Sequence, residues 1–202
     1  MAFQLIGARP ALDFVNTVGG RRQTAPSEQL HRFSDVVAWA GQAALLTQAE
    51  TRAVSREAQS HPAEAEGALL RARAFREALY RVMLCLLEAR PPGAADMEAL
   101  EVEMQRALAG RHLESLPGRL RWTARDVPLL DVVVSRLALQ TLELLTSESF
   151  ERVRLCEATS ANGCGWLFLD ETRNHSRRWC EMATCGNQHK ARRHYARVRS
   201  RR

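Results

Sequence analysis

The sequence predicts an α+β protein: a mostly helical N-terminal domain with a few short strands over residues 1–148, and a small cysteine-bearing module over residues 149–202. Three observations carry this reading. Apolar residues recur at spacings of three and four through much of the first 150 residues, the period of a helix with one buried face. Four of the five cysteines fall between positions 156 and 185. Charge is divided unevenly: residues 151–202 carry twelve Lys and Arg against five Asp and Glu, and residues 1–150 carry seventeen against eighteen.

Taken in order, Phe3 to Ile6 suits a short strand, and Pro10 suits the first turn of a helix through Leu12, Asp13, Phe14, Val15 and Asn16. Arg21 to Pro26 reads as an exposed loop. Ser34 is placed to cap a helix carrying Val36, Val37, Trp39 and Ala40. Thr47 caps the next, with Glu50 completing a capping box. A long helix follows His61-Pro62, with Leu69, Leu70, Phe75, Leu79, Val82, Met83 and Leu86 on its apolar face, and Pro91-Pro92-Gly93 stops it. Cys85 shares that face and is expected to be buried. A further helix spans about Ala95 to Leu108. His112 to Trp122 reads as a hairpin around Pro117-Gly118. Pro128 opens the last helix of the domain, with Leu130, Val133, Val134, Leu137, Thr141, Leu144 and Leu145 on one face.

The cysteines follow the pattern Cys156-x7-Cys164-x15-Cys180-x4-Cys185. No basic segment followed by an apolar run opens the chain, and no apolar stretch is long enough to cross a bilayer. These features place the protein in the cytoplasm, where clustered cysteines point to metal rather than disulfides. Four thiolates in two local pairs suit one tetrahedral, closed, structural zinc ion. Asn162-Gly163 supplies a turn within the first pair. Gly165 to Asp170 suits a strand and His175 to Trp179 its return, with Arg173-Asn174 between them. The residues after Cys185 can be helical. Knuckle, hairpin, knuckle and helix give a treble-clef-like order. Buried free cysteines are the bland alternative, and His175 is the alternative ligand.

No acidic residue follows Glu181. On a helix, Lys190, Arg193 and Arg197 form one stripe, flanked by His189 and His194, and Arg192 and Arg199 form a second row. Such a surface suits phosphate contacts on duplex DNA. Gln188, Arg177 and Arg178 complete the candidate nucleic-acid surface, although Arg177, Arg178 and Lys190 could equally offset the negative charge of a four-thiolate site.

At these residues the chain resembles a known family. Cys164-Gly165-Trp166-Leu167-Phe168-Leu169-Asp170, Arg177-Arg178-Trp179-Cys180-Glu181-Met182 and Cys185-Gly186-Asn187 are similar to the CGNR-type zinc finger. Leu12-Asp13-Phe14-Val15-Asn16-Thr17, with Val37-Ala38-Trp39-Ala40, resembles the ABATE domain that precedes that finger. The resemblance implies a bacterial, stress-related transcription regulator whose finger binds DNA. One position departs from the motif: Gln188 stands where the motif has Arg.

In the first domain, Asp13, Asn16, Arg21 and Trp39 are candidates to line a pocket for a small-molecule effector. Asp13 and Asn16 equally suit hydrogen bonds to buried backbone groups. No Gly-x-Ser-x-Gly, phosphate-binding glycine loop or His-Glu-x-x-His is present, which argues against an enzyme. The expected function is a zinc-dependent, DNA-binding regulator whose first domain senses a signal or forms a homodimer. The alternatives are a protein-interaction module with a purely structural zinc, and an RNA binder that stacks bases on Trp166, Phe168, Trp179 or Tyr195.

Overall fold

The computed structural model describes residues 2–124, 127–158 and 163–191. The chain forms two compact units, one from Met1–Phe3 and Leu30–Ser147, the other from Gln4–Gln29 and Glu148–Arg202. Residues 4–29, assigned by sequence to the first domain, thus fold with the cysteine module.

That N-terminal segment contains α1 (Pro10–Val15) and a short antiparallel pair, β1 (Val18–Gly19) with β2 (Ser27–Glu28). Pro10 starts α1 because its fixed backbone angle suits a first helical turn and its missing N–H is not needed there. The expected strand at Phe3 to Ile6 is absent. Phe3 instead uses both backbone groups on the Gln42 side chain, donating to Oε1 at 2.8 Å and accepting from Nε2 at 2.5 Å. A side-chain amide takes the place of a neighbouring strand.

The first unit is built on α2 (Phe33–Gln42), α3 (Gln48–Ser60), α4 (Pro62–Leu87) and α5 (Ala94–Ala109). The hairpin β3 (Arg111–Leu116) with β4 (Arg119–Ala124) follows. A 3-10 turn (Leu129–Asp131) and α6 (Val132–Thr146) complete it. Helix α2 starts at Phe33, so Arg32 and not Ser34 is its N-cap; the Asp35 carboxylate reaches back to accept from the N–H groups of His31 (2.8 Å) and Arg32 (2.9 Å), fixing the chain where it enters the helix. The Thr47–Glu50 capping box forms as expected. Glu50 also pairs with Arg136 of α6, which donates to the Leu45 carbonyl at 2.6 Å. The core gathers Trp39, Leu69, Phe75, Leu79, Met83 and Leu137, all at most 2% exposed. Leu70 and Leu86 face outward, and Cys85, expected to be buried, is half-buried near the same end of α4.

The β3–β4 hairpin turns at Pro117-Gly118, where Gly118 takes the left-handed conformation. Its register sets Leu113 opposite Trp122, and Leu120 shares their face. These three side chains are 58%, 49% and 66% exposed. Among the described residues, no helix is long and apolar enough to cross a membrane.

Candidate metal centre

The second unit is held by β5 (Val153–Leu155) and β6 (Leu167–Leu169), paired antiparallel with Leu155 opposite Leu167. Cys156 follows β5, and its N–H continues the ladder to the Trp166 carbonyl at 2.8 Å. The first cysteine pair therefore sits in the loop joining the two strands. Here the structure corrects the expected strand partner: β6 pairs with residues 153–155, and His175 to Trp179 is not a strand. The reason lies in Asp170. Fully buried, it accepts from the Thr172 N–H (3.0 Å), the Thr172 hydroxyl (2.6 Å) and the Arg177 N–H (2.8 Å), folding residues 170–177 into a turn. Burial opposes ionisation of this carboxylate, but the hydrogen bonds outweigh it and hold its pKa below the usual value. The Arg178 carbonyl still accepts from Glu157 N–H at 3.0 Å.

The second pair lies at the start of the last described helix. Residues Met182–Gly186 form a wide turn, closed by the Gly186 N–H on the Glu181 carbonyl at 3.2 Å, and residues 187–191 continue as α-helix. Each residue of Cys185-Gly186-Asn187 has a distinct task. Cys185 supplies a sulfur. Gly186 leaves room for the Met182 side chain, whose Sδ an added Cβ would overlap. Asn187 donates its amide to the Ala183 carbonyl at 3.2 Å.

The four cysteines are buried, and their sulfurs all lie within 4.8 Å of one another. Cys164 and Cys180 sulfurs are 3.6 Å apart, and those of Cys180 and Cys185 are 3.7 Å apart. A sulfur tetrahedron around zinc has an edge of about 3.8 Å, given Zn–S bonds of about 2.3 Å. A disulfide needs about 2.05 Å, and all four are free. The ionisation pattern agrees. Thiol hydrogen bonds from Cys164 and Cys180 push the Cys156 pKa down, and the same bonds push those two up, while burial raises Cys185. Four thiolates at these distances repel one another. A divalent cation allows all four to be thiolates. These residues hold one zinc ion. His175 is not in the set: its Nδ1 lies 3.2 Å from the Asp170 carbonyl, and its backbone is left-handed (φ 45°). Asn162 lies outside the described residues.

Two arginines brace the ligand backbone. Arg177 donates from Nε to the Trp179 carbonyl at 2.9 Å and from Nη2 to the Cys180 carbonyl, with its guanidinium 4.5 Å from the centre of the Phe168 ring. Arg22, which the sequence offered only as a loop residue near a possible effector pocket, donates to the Cys156 carbonyl at 3.3 Å. Arg178 is ion-paired with Glu157 and lies over Trp179. Of the candidate nucleic-acid residues, Arg177 is thus engaged in the fold, and Arg178 is neutralised by a carboxylate. His189 packs on Trp179, with ring centres 5.5 Å apart. Gln188 and Lys190 are exposed on the helix. Arg192, Arg193, Arg197 and Arg199, with His194 and Tyr195, lie outside the described residues.

The candidate effector residues divide between the units. Trp39 is fully buried in the helical unit. Asp13, Asn16 and Arg21 are in the zinc unit, each on a backbone group. Asp13 Oδ1 accepts from Gly7 N–H at 2.7 Å. Arg21 donates to the Val15 carbonyl at 3.0 Å from Nε and 2.7 Å from Nη2. Asn16 bonds both backbone groups of Leu167, at 2.8 and 2.9 Å. Nor are the proposed stacking aromatics free: Phe168 is fully buried, and Trp166, 8% exposed, donates Nε1 to the Val18 carbonyl at 2.7 Å. Both pack in the cluster around the cysteines.

This arrangement defines a zinc-binding protein in which a four-cysteine module is joined to a helical unit. The sequence of residues 8–148 matches the family model ABATE, described as "Putative stress-induced transcription regulator", and residues 152–198 match the CGNR zinc finger. The chain belongs to the ABATE family and carries a CGNR zinc finger at its C-terminal end. No curated protein matches the chain.

Proposed function

We propose that this protein is a DNA-binding transcription regulator in which the zinc unit carries a basic segment, residues 187–202, onto the phosphates of duplex DNA. The observation that carries this reading is the charge distribution. Residues 151–202 hold twelve basic and five acidic residues, and none of the acidic ones follows Glu181. The segment leaves the last zinc ligand as a helix over 187–191, with Lys190 exposed on it. A dense cationic segment attached to a rigid metal site binds polyanions by releasing their counterions. The role of Arg177 and Arg178 is then to hold and balance the site, and phosphate contact falls to Lys190 and the arginines beyond it.

The test is binding of the zinc-loaded protein to random duplex DNA across a salt series, beside a variant with Lys190, Arg192, Arg193 and Arg197 changed to Ala. Four lost phosphate contacts make the slope of log affinity against log salt shallower by about 3–4. If neither protein binds at low salt while zinc is retained, the reading is wrong and a protein partner takes its place.

For the helical unit, one observation favours dimerisation: the exposed Leu113, Trp122 and Leu120 on one face of the β3–β4 hairpin. Sedimentation of the wild type as a dimer, and of a Leu113→Ser, Trp122→Ser variant as a monomer, is the expected result. A monomeric wild type removes this role.

A further inference from the structure

The zinc finger as a sequence segment begins near residue 152, but the backbone that presents its first two ligands is held from elsewhere. The Arg21 N–H donates to the carbonyl of Cys164 (3.1 Å), and the Arg22 N–H donates to that of Gly163 (2.8 Å). The Arg22 guanidinium reaches the carbonyl of Cys156. Gly163 is in the left-handed conformation (φ 42°), and a Cβ there would lie 2.9 Å from the Arg22 carbonyl carbon, the Gln23 nitrogen and the Gln23 Cγ, so the close approach of the two loops leaves no room for a side chain at this position. Behind this contact, Asn16 clamps Leu167, Trp166 reaches Val18, and the Leu169 N–H donates to the Gly7 carbonyl at 3.1 Å. The strand leading away from Cys164 thus has β5 on one edge and the N-terminal segment on the other.

We infer that Asn16, Arg21 and Arg22 are positioning residues of the zinc site, and that zinc occupancy in turn determines whether residues 4–29 are ordered. The inference concerns the metal site and holds whether or not the finger reads DNA. A segment that must dock to preorganise two of four ligands raises metal affinity, and linkage requires that the metal strengthen docking of that segment by the same factor. The segment belongs to the same chain as the ligands, so its docking is intramolecular. It leaves the helical unit at Phe3, held by Gln42, and returns at Leu30, whose carbonyl accepts from Arg73 Nε at 2.9 Å. The apparent first domain of the sequence therefore contributes part of the metal site.

The test uses the full chain. Zinc affinity is measured by competition with a chromophoric chelator, and the ligand field by the visible absorption of the cobalt-loaded protein. Asn16→Ala removes two buried hydrogen bonds and is expected to weaken zinc binding roughly tenfold or more. The melting of the helical unit in the zinc-free protein is expected to be unchanged. Arg22→Ala, which removes one part-buried side-chain bond, is expected to weaken zinc binding a few-fold and keep the four-thiolate cobalt spectrum. Unchanged zinc affinity in Asn16→Ala overturns the inference. Should that variant fail to fold, hydrogen exchange of the wild type with and without chelator decides. The amides of Arg21, Arg22 and Leu167 should lose protection on zinc removal while those of α4 keep theirs. Retained protection at Arg21 and Arg22 overturns it.

Discussion

Asn16 grips Leu167 through both ends of its side-chain amide, Nδ2 on the carbonyl and Oδ1 on the N–H, across 151 positions of sequence. The amide acts as a detached peptide group. β6 is bonded to β5 along one edge, and Leu167 and Leu169 direct their N–H groups to the other. Asn16 and Gly7 cover that edge, so a strand of three residues is satisfied on both sides.

Trp166→Phe tests the same junction without touching a zinc ligand. The ring keeps its place, but the Nε1 bond to the Val18 carbonyl is lost and a buried acceptor is left unpaired. The expected cost is about 1–3 kcal/mol, read from denaturant unfolding of the zinc-loaded protein.

Gly163 and Gly186 differ in what surrounds them. A Cβ at Gly163 meets backbone of Arg22 and Gln23 and sits at a left-handed φ, whereas one at Gly186 meets the side chain of Met182, which is 45% exposed and free to swing away. Gly163→Ala should therefore cost about 1–3 kcal/mol, and Gly186→Ala should cost less and recover in combination with Met182→Ala. Thermal unfolding with zinc present compares the three variants; equal losses would contradict the close approach of the loops at Gly163.

Asp13 gives a pH dependence of definite sign. Burial raises its carboxyl to about 6, against the opposing pull of the Gly7 and Ile6 N–H groups. The folded state then holds a proton that the unfolded chain releases near pH 4, so this group's contribution falls as pH rises from about 4 to 6 and is flat beyond. Asp13→Asn keeps an acceptor for Gly7 and removes the buried charge. Its stability relative to wild type should rise across that window by about 1–3 kcal/mol, measured by unfolding at matched pH.

Glu50 behaves in the opposite sense. The hydrogen bond to Arg136 holds its carboxyl down to about 2, with the Thr47 cap adding to the effect against slight desolvation. Its contribution is present above the ordinary carboxylate range and is lost as pH falls towards 2. Both side chains are about one third exposed (36% and 31%), so solvent screens the pair, and a coupling of about 0.5–1 kcal/mol is expected. A double-mutant cycle of Glu50→Gln with Arg136→Met at pH 7, repeated near pH 3, checks both the size and its decline.

Much of this protein is legible from neighbouring residues alone. Cys156, Cys164, Cys180 and Cys185 state their task through thiol chemistry and paired spacing. The helices state theirs through the apolar period, and α3 through the Thr47–Glu50 box, because each of these signals is completed within a few residues. Partners far apart in the chain carry no such mark. The sequence pointed to residues 175–179 as the partner of β6, yet residues 153–155 take that place, and Asp170 folds the chain after β6 into a turn. The sequence allowed Asp13 and Asn16 either a pocket or a structural role, and their bonds to Gly7 and Leu167 appear only once the chain is folded. The sequence left Arg22 as a loop residue near a possible pocket and Arg177 as either a DNA contact or a counter-charge to the thiolates, and the fold sends both to carbonyls of zinc ligands. Ligand chemistry and local period are properties of short segments, readable in the sequence. Which buried donor meets which acceptor is decided by long-range packing, because each such group must find a partner wherever the chain brings one.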